Sequence, residues 1–306
     1  MATESAGTGI VAAVVPDTQR ILNRLKSCPR LPSLGSVNSA LRELLGAEQR
    51  YTSQIAEVIR RDPSLTARLL RLVNSVYYGL TTPINGIEEA VFYLGVRQIR
   101  QLAMVTPIVE DFQRLAGDTS FEWRGFWQHC IGTAILTREV IGSFQSVSDE
   151  ADYVAGLVHD VGKIVMAAAF REEFQAVQQQ QAATGECLLN LERQILGMDH
   201  AELGSLYLRQ HSLPAVLVEA VRWHHEPEKA RDHTTIVAAV QIADLLCRQA
   251  DIGHSGNHTP VTQEDWMNAS GWDMLFTRQS ETERSIARAN LKRSLERLPS
   301  LLEGLV

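Results

Sequence analysis

The sequence predicts an all-α protein, on two observations: helix start and stop signals recur along most of its 306 residues, and sustained period-2 alternation is scarce. The clearest helix opens at Asp62-Pro63-Ser64-Leu65, an N-cap followed by proline at the first helical position. It runs through Leu65, Leu69, Leu72 and Val73 and stops near Gly79. A second runs from Gly86 to Leu94 and ends at Gly95; a third begins near Val96, carries Ile99, Leu102, Ala103 and Val105, and is interrupted by Pro107.

The stretch Ala116 to Ser120 combines turn residues with a break in apolar periodicity and divides the chain. Beyond it the spacing predicts helices over Phe126 to Phe144, Glu150 to Val161 and Gln175 to Gln181, with Gln178 to Gln181 as a solvated face. Asp199 and Glu202 form a capping box, Ser212 to Pro214 opens another helix, and Thr234 to Ala250 forms a buried one. Gly253 to Pro260 reads as a loop, and Glu281 to Leu298 as an amphipathic closing helix. The expected organisation is a flexible tail over 1–17, a helical subdomain over 18–115, a metal-binding helical subdomain over 120–252, and a loop with the C-terminal helix over 253–306. There is no internal repeat.

Composition bounds the function. Apolar residues make up 45%, ample for a real core, while the net charge of −7 offers no basic surface to a phosphate backbone. Cys28, Cys130, Cys187 and Cys247 lack any C-x-x-C pairing and read as reduced core thiols. Met1 to Pro16 carries Glu4 and no Lys or Arg before Arg20, unlike a signal peptide, and no apolar run approaches the roughly 20 residues that span a bilayer. The expected location is the cytoplasm, with no membrane and no nucleic acid as partner.

Chemistry concentrates in the second half, where His129, His159-Asp160, His200, His224-His225 and Asp244 lie on or at the ends of predicted helices. Imidazole nitrogen and carboxylate oxygen are the ligands of divalent iron, manganese and zinc, and the set suits a dinuclear centre. Neighbouring helical residues diverge by roughly 100°, so His159 and Asp160 can share a cluster only if it lies close beside their helix, which the small Gly156 and Gly162 permit. Asp244 lies on the stripe Val237, Val240, Asp244, Cys247, where an unpartnered carboxylate would cost roughly several kcal/mol. A metal, or an ion pair with Arg222 or Arg248, must compensate it. Lys163 follows the His-Asp pair closely enough to stabilise charge developing on a phosphoryl oxygen, or is an ordinary solvated lysine. His211, His233, His254 and His258 read as surface residues.

His129, His159-Asp160 and Asp244, in that order, resemble the HD superfamily of metal-dependent phosphohydrolases. His200 and His224-His225 look like the extended ligand set of the HD-GYP phosphodiesterases. Asp62 to Ser75, Ile87 to Val91 and Leu94 to Arg100 are similar to the HDOD domain, as is Asp199 to Gly204 through Leu213-Pro214 to His224-His225. The resemblance covers residues 20 to 250 and implies an HD-domain-like helical bundle with an N-terminal helical HDOD subdomain. The Gly-Tyr-Pro motif is absent after His225, so cyclic-di-GMP recognition is not implied. Gly125 stands where some HD-GYP proteins place a glutamate ligand for a third metal, and His211 where the HDOD family often has tryptophan.

The resemblance implies a bacterial signal-transduction protein with a retained centre of two metal ions, iron or manganese ahead of zinc. His129, His159, Asp160, His200, His224, His225 and Asp244 would be its ligands, and its partners signalling proteins or a phosphorylated small molecule, with a homodimer as an option. The alternative is an active phosphohydrolase in which Asp160 and Lys163 are catalytic. A third reading takes Gly86 to Val105, with Arg97 and Arg100, as a helix-turn-helix DNA reader, against which the acidic balance counts.

Overall fold

The computed structural model describes residues 18–28, 70, 73–74, 83–95, 121–144 and 150–303. Among them there is no strand, and helices account for nearly all regular structure. The proposed helix at Asp62 to Gly79, apart from residues 70, 73 and 74, the one from Val96, and the boundary at Ala116 to Ser120 lie outside the described residues. The stretch over 87–95 is helical and ends on Gly95 at φ +78, as its stop signal requires.

The first helix, α1, spans Thr18–Ser27. The bundle is built on α2, Trp123–Gly142, whose Glu122 carboxylate caps it by accepting from the Gly125 N–H at 2.7 Å. It is buried on almost every side, with Trp127, His129, Ile131, Ala134 and Leu136 all inside, which marks a central helix. Around it stand α3, Glu150–Val158, and the equally buried α9, Thr234–Gln249. Outside them come α4, Val161–Ala169, and α5, Arg171–Thr184, then α6, Leu188–Ile195, α7, His200–Gln210, and α8, Ala215–Trp223. Two short helices, α10 at Gln263–Met267 and α11 at Ser270–Phe276, precede α12, Glu281–Glu303, which packs across α2.

Several boundaries differ from expectation. The helix expected over Glu150 to Val161 ends at Val158, and after a break at His159-Asp160 a further helix, α4, not anticipated, begins at Val161. Gly162 lies in the first turn of α4, where a Cβ would fall 1.8 Å from the carbonyl oxygen of His200 and 2.9 Å from the amide nitrogen of Gly204. Gly204 mirrors it, its Cβ meeting the Gly162 nitrogen at 2.8 Å, so α4 and α7 touch backbone to backbone. Gln181, expected in water, is buried at the inner edge of α5. Cys187 is exposed at the N-terminus of α6, whereas Cys28, Cys130 and Cys247 are buried thiols as expected. Helices α6, α10 and α11 were not anticipated.

The glycine contact sets a graded expectation. Gly162→Ala should lower unfolding free energy in urea by about 3 kcal/mol, because only a backbone shift relieves the clash. Gly185→Ala, at φ +68 with open space around it, should cost only about 1 kcal/mol of left-handed strain. Equal losses at the two positions would contradict the close approach.

Candidate metal centre

Five elements deliver the predicted residues to one point: His129 from α2, His159 and Asp160 from the α3–α4 break, His200 from the first position of α7, His224 and His225 from the end of α8, and Asp244 from α9. All are buried except His225, which is half-buried. His129, His159 and Asp244 bring one ligand atom each within 4.8 Å of one another; so do His159, Asp160 and His224, and again His200, His224 and His225. Asp160 joins the groups. Its Oδ2 lies 3.4 Å from His159 Nε2 and 4.0 Å from His129 Nε2, while its Oδ1 lies 3.1 Å from His200 Nε2 and 3.8 Å from His224 Nε2.

The imidazoles are oriented by the backbone. His159 Nδ1 donates to Gly156 O at 2.8 Å and His224 Nδ1 to Val221 O at 2.9 Å. A carbonyl can only accept, so each ring carries its hydrogen on Nδ1 and turns a bare Nε2 lone pair inward. Those two Nε2 atoms, His129 Nε2 and Asp160 Oδ1 are buried with no hydrogen-bond partner; His129 Nε2 approaches Asp244 Oδ1 at 3.1 Å without hydrogen-bond alignment. Buried acceptors facing one another with nothing to share are what a pair of divalent transition metals would satisfy, and the donor set fits such ions.

This bundle, with these histidines and aspartates in this order, invites comparison with known proteins. The family model of the HDOD domain matches residues 31–227. The chain belongs to the HDOD family. An HDOD domain protein of unknown function from Geobacter sulfurreducens is similar over 95% of this chain and 99% of that one, at 23% identity and a TM-score of 0.78. A candidate phosphohydrolase from Shewanella amazonensis SB2B is similar over 94% and 98%, at 20% identity and a TM-score of 0.67. At these identities the likeness is one of fold. An uncharacterized protein of Treponema pallidum (strain Nichols) is 25% identical over 239 residues, 76% of this chain and 44% of that protein, so the chain spans under half of that relative's length.

Around these candidate ligands lie groups that the sequence reading missed or misplaced. Glu192, on the buried face of α6, accepts from both the backbone N–H and Nδ1 of His200, at 2.9 and 2.7 Å. Burial opposes charge on His200, but the Glu192 carboxylate beside it raises the pKa to about 9. His200 Nε2 also meets His225 Nε2 at 3.0 Å, a separation that needs a shared proton or a cation between them. Glu192 carried the same signal as Asp244, a carboxylate on an apolar helix face.

Lys163 is not a solvated lysine: it is buried, with Nζ 2.6 Å from Asp160 Oδ2 and 2.8 Å from Ser255 O. Despite burial, Lys163 and His159 hold the Asp160 carboxyl well below the usual range. Asp244 is likewise depressed against its burial, by His129 and then Arg248, whose Nη1 lies 3.6 Å away. The Arg248 ion pair considered from sequence therefore exists together with the histidine cluster; Arg222 turns instead toward Glu202, at 3.7 Å.

His254 is half-buried, in contact with Phe121 and His258 and lining a cavity of about 210 Å³ beside His129. Its N–H donates to Gly125 O at 2.8 Å, and a Cβ on Gly125 would meet Glu122 Oε2 at 2.1 Å and His254 Cβ at 2.9 Å. The space a side chain at position 125 would take is thus filled by the capping Glu122 carboxylate and by His254 of the 253–260 loop. His233 and His211 are half-buried, the latter edge-on to Tyr207, and His258 is exposed as expected.

Two outcomes follow. Glu192→Gln removes the carboxylate that orients His200 and should weaken metal affinity by about 10- to 100-fold, read by competition with a chromogenic chelator. The second concerns acid. Burial lowers the pKa of His129, His225 and His224, the last to about 3 with His159 adding to the effect. Below about pH 6.5 an unfolded histidine takes a proton that these folded ones refuse, so acid favours unfolding. His200 acts oppositely, but its contribution is complete below pH 6.5 and is lost only as pH rises through about 9. Chelator-treated protein should therefore melt at lower temperature at pH 5 than at pH 7, and less steeply so in His224→Asn.

Proposed function

We propose that this HDOD protein is a signalling protein whose dinuclear His/Asp centre hydrolyses a phosphoester of a small molecule. The observation that supports it best is the division of labour on Asp160, whose two oxygens face two different histidine groups. His129, His159, Asp160 and Asp244 would hold one cation, and Asp160, His200, His224 and His225 the other. Divalent ions there would supply Lewis-acid stabilisation of a phosphoryl group and activate water. The protein's own part is positional. Backbone carbonyls fix the imidazole tautomers, Glu192 seats His200, and Lys163 holds Asp160 in place while pinning Ser255 of the 253–260 loop against the centre. Lys163 has three N–H groups, and those contacts use two; the third is available to a phosphoryl oxygen. The cavity beside His129, about 210 Å³, falls below the roughly 300–1,000 Å³ of drug-sized sites and so favours a small phosphoester over a cyclic dinucleotide.

A second reading keeps the metal but not the turnover: a regulatory module, binding signalling proteins, in which the ions are structural or redox-sensing. The burial of His129, His159 and His200, each 0% exposed, favours it. Metal content by plasma mass spectrometry and a phosphoester panel on manganese- and iron-loaded protein separate the two. The proposal expects about two equivalents of metal and turnover, both lost in Asp160→Asn while the helical content persists. Two equivalents with no turnover on the panel would move the protein to the second reading, and no metal would end both.

A further inference from the structure

Helix α12 does not close completely on the bundle. Between α9, α10 and α12 it leaves a cavity of about 500 Å³, within the range of roughly 300–1,000 Å³ that takes a small organic molecule. Its lining is mostly apolar, with Leu246, Ile252, Trp266 and Leu295 among the walls. The charged lining residues are Arg288, Lys292 and Glu296, two cations against one anion, a net charge of +1.

Two donors on these wall residues have no acceptor in the protein. The indole N–H of Trp266, a residue only 6% exposed, is buried and unpaired, and so is Arg288 Nε. Buried donors are rarely left so. Arg288 does have other contacts, since its guanidinium lies 5.2 Å over the Trp272 ring and Nη1 is 3.0 Å from Glu281 Oε1. But the Glu281 side chain is 74% exposed, so water competes for it and the pair is easily exchanged.

We propose that this cavity is a binding site for a small amphipathic monocarboxylate, its apolar body against Leu246, Ile252 and Trp266 and its carboxylate at Arg288 and the Trp266 N–H. A guanidinium matches a carboxylate in a fork, and one negative charge balances the net charge of the lining. The site is separate from the metal centre and does not depend on the hydrolase reading. The two are neighbours nonetheless: Ile252 lines both this cavity and the one beside His129, and α9 carries Asp244 and Leu246 two residues apart.

Isothermal titration of the full chain with 1-naphthoate, and with the uncharged 1-naphthalenemethanol, tests the assignment. One equivalent of naphthoate should bind, and the alcohol at least about tenfold more weakly, the difference a charge-assisted hydrogen bond makes. Arg288→Gln should weaken naphthoate at least about tenfold without changing the alcohol. Lys292→Gln, at an exposed position where substitution costs little stability, should weaken naphthoate by a smaller factor, and Trp266→Phe should also weaken it. Circular dichroism and melting temperature without the probe verify that each variant is folded. Absence of binding at millimolar naphthoate, equal binding of acid and alcohol, or no effect of either cation substitution would overturn the proposal. So would sedimentation showing that a second copy of the chain covers this face and must leave before naphthoate binds.

Discussion

Two carboxylates stand in the middle of an apolar helical bundle, and the arrangement around them answers that one constraint. Asp160 and Asp244 are both nearly inaccessible, and an isolated buried carboxylate would give up its charge. Here each is instead held ionised, Asp160 with Lys163 and Asp244 with Arg248 beside it; Asp160 faces imidazoles brought in from three further helices, and Asp244 shares two of its histidines, His129 and His159. The central helices α2 and α9 could pack as an ordinary hydrophobic pair. What sets them apart from such a pair is His129 against Asp244, an imidazole and a carboxylate 3.1 Å apart in the core.

How much of this was legible depends on the residue. Asp244 could be read because helical spacing put a carboxylate among Val237, Val240 and Cys247, all of which are buried. His129 and His200 gained meaning only in company, since a histidine on an apolar helix has no signature of its own. The break at His159-Asp160 was hard to place because Val158, Val161 and Ile164 continue the apolar spacing across it. Glu192 went unread because α6 was not identified, and His254 because a loop residue shows nothing of what the loop packs against. Helices α10 and α11, five and seven residues long, are too short to display a period.

Local backbone, not distant contacts, sets the ring orientations. His159 and His224 each bond the carbonyl three residues earlier, so the helix turn that carries the ring also chooses which nitrogen is bare. Such an orientation survives substitutions elsewhere in the core, because it asks only that the preceding turn be helical. His200 lies at the opposite end of a helix, where no carbonyl precedes it in register, and borrows Glu192 from α6 instead.

The position of Asp160 between the histidine groups has an evolutionary consequence. Under the proposed function both halves of the ligand set would lean on one side chain, so a single missense change at that codon would silence the whole centre while leaving intact the apolar helices that define the shape. On that reading, a lineage built on this frame would stand one mutational step from becoming a scaffold, and a scaffold that had lost Asp160 but kept its histidines one step from regaining a centre.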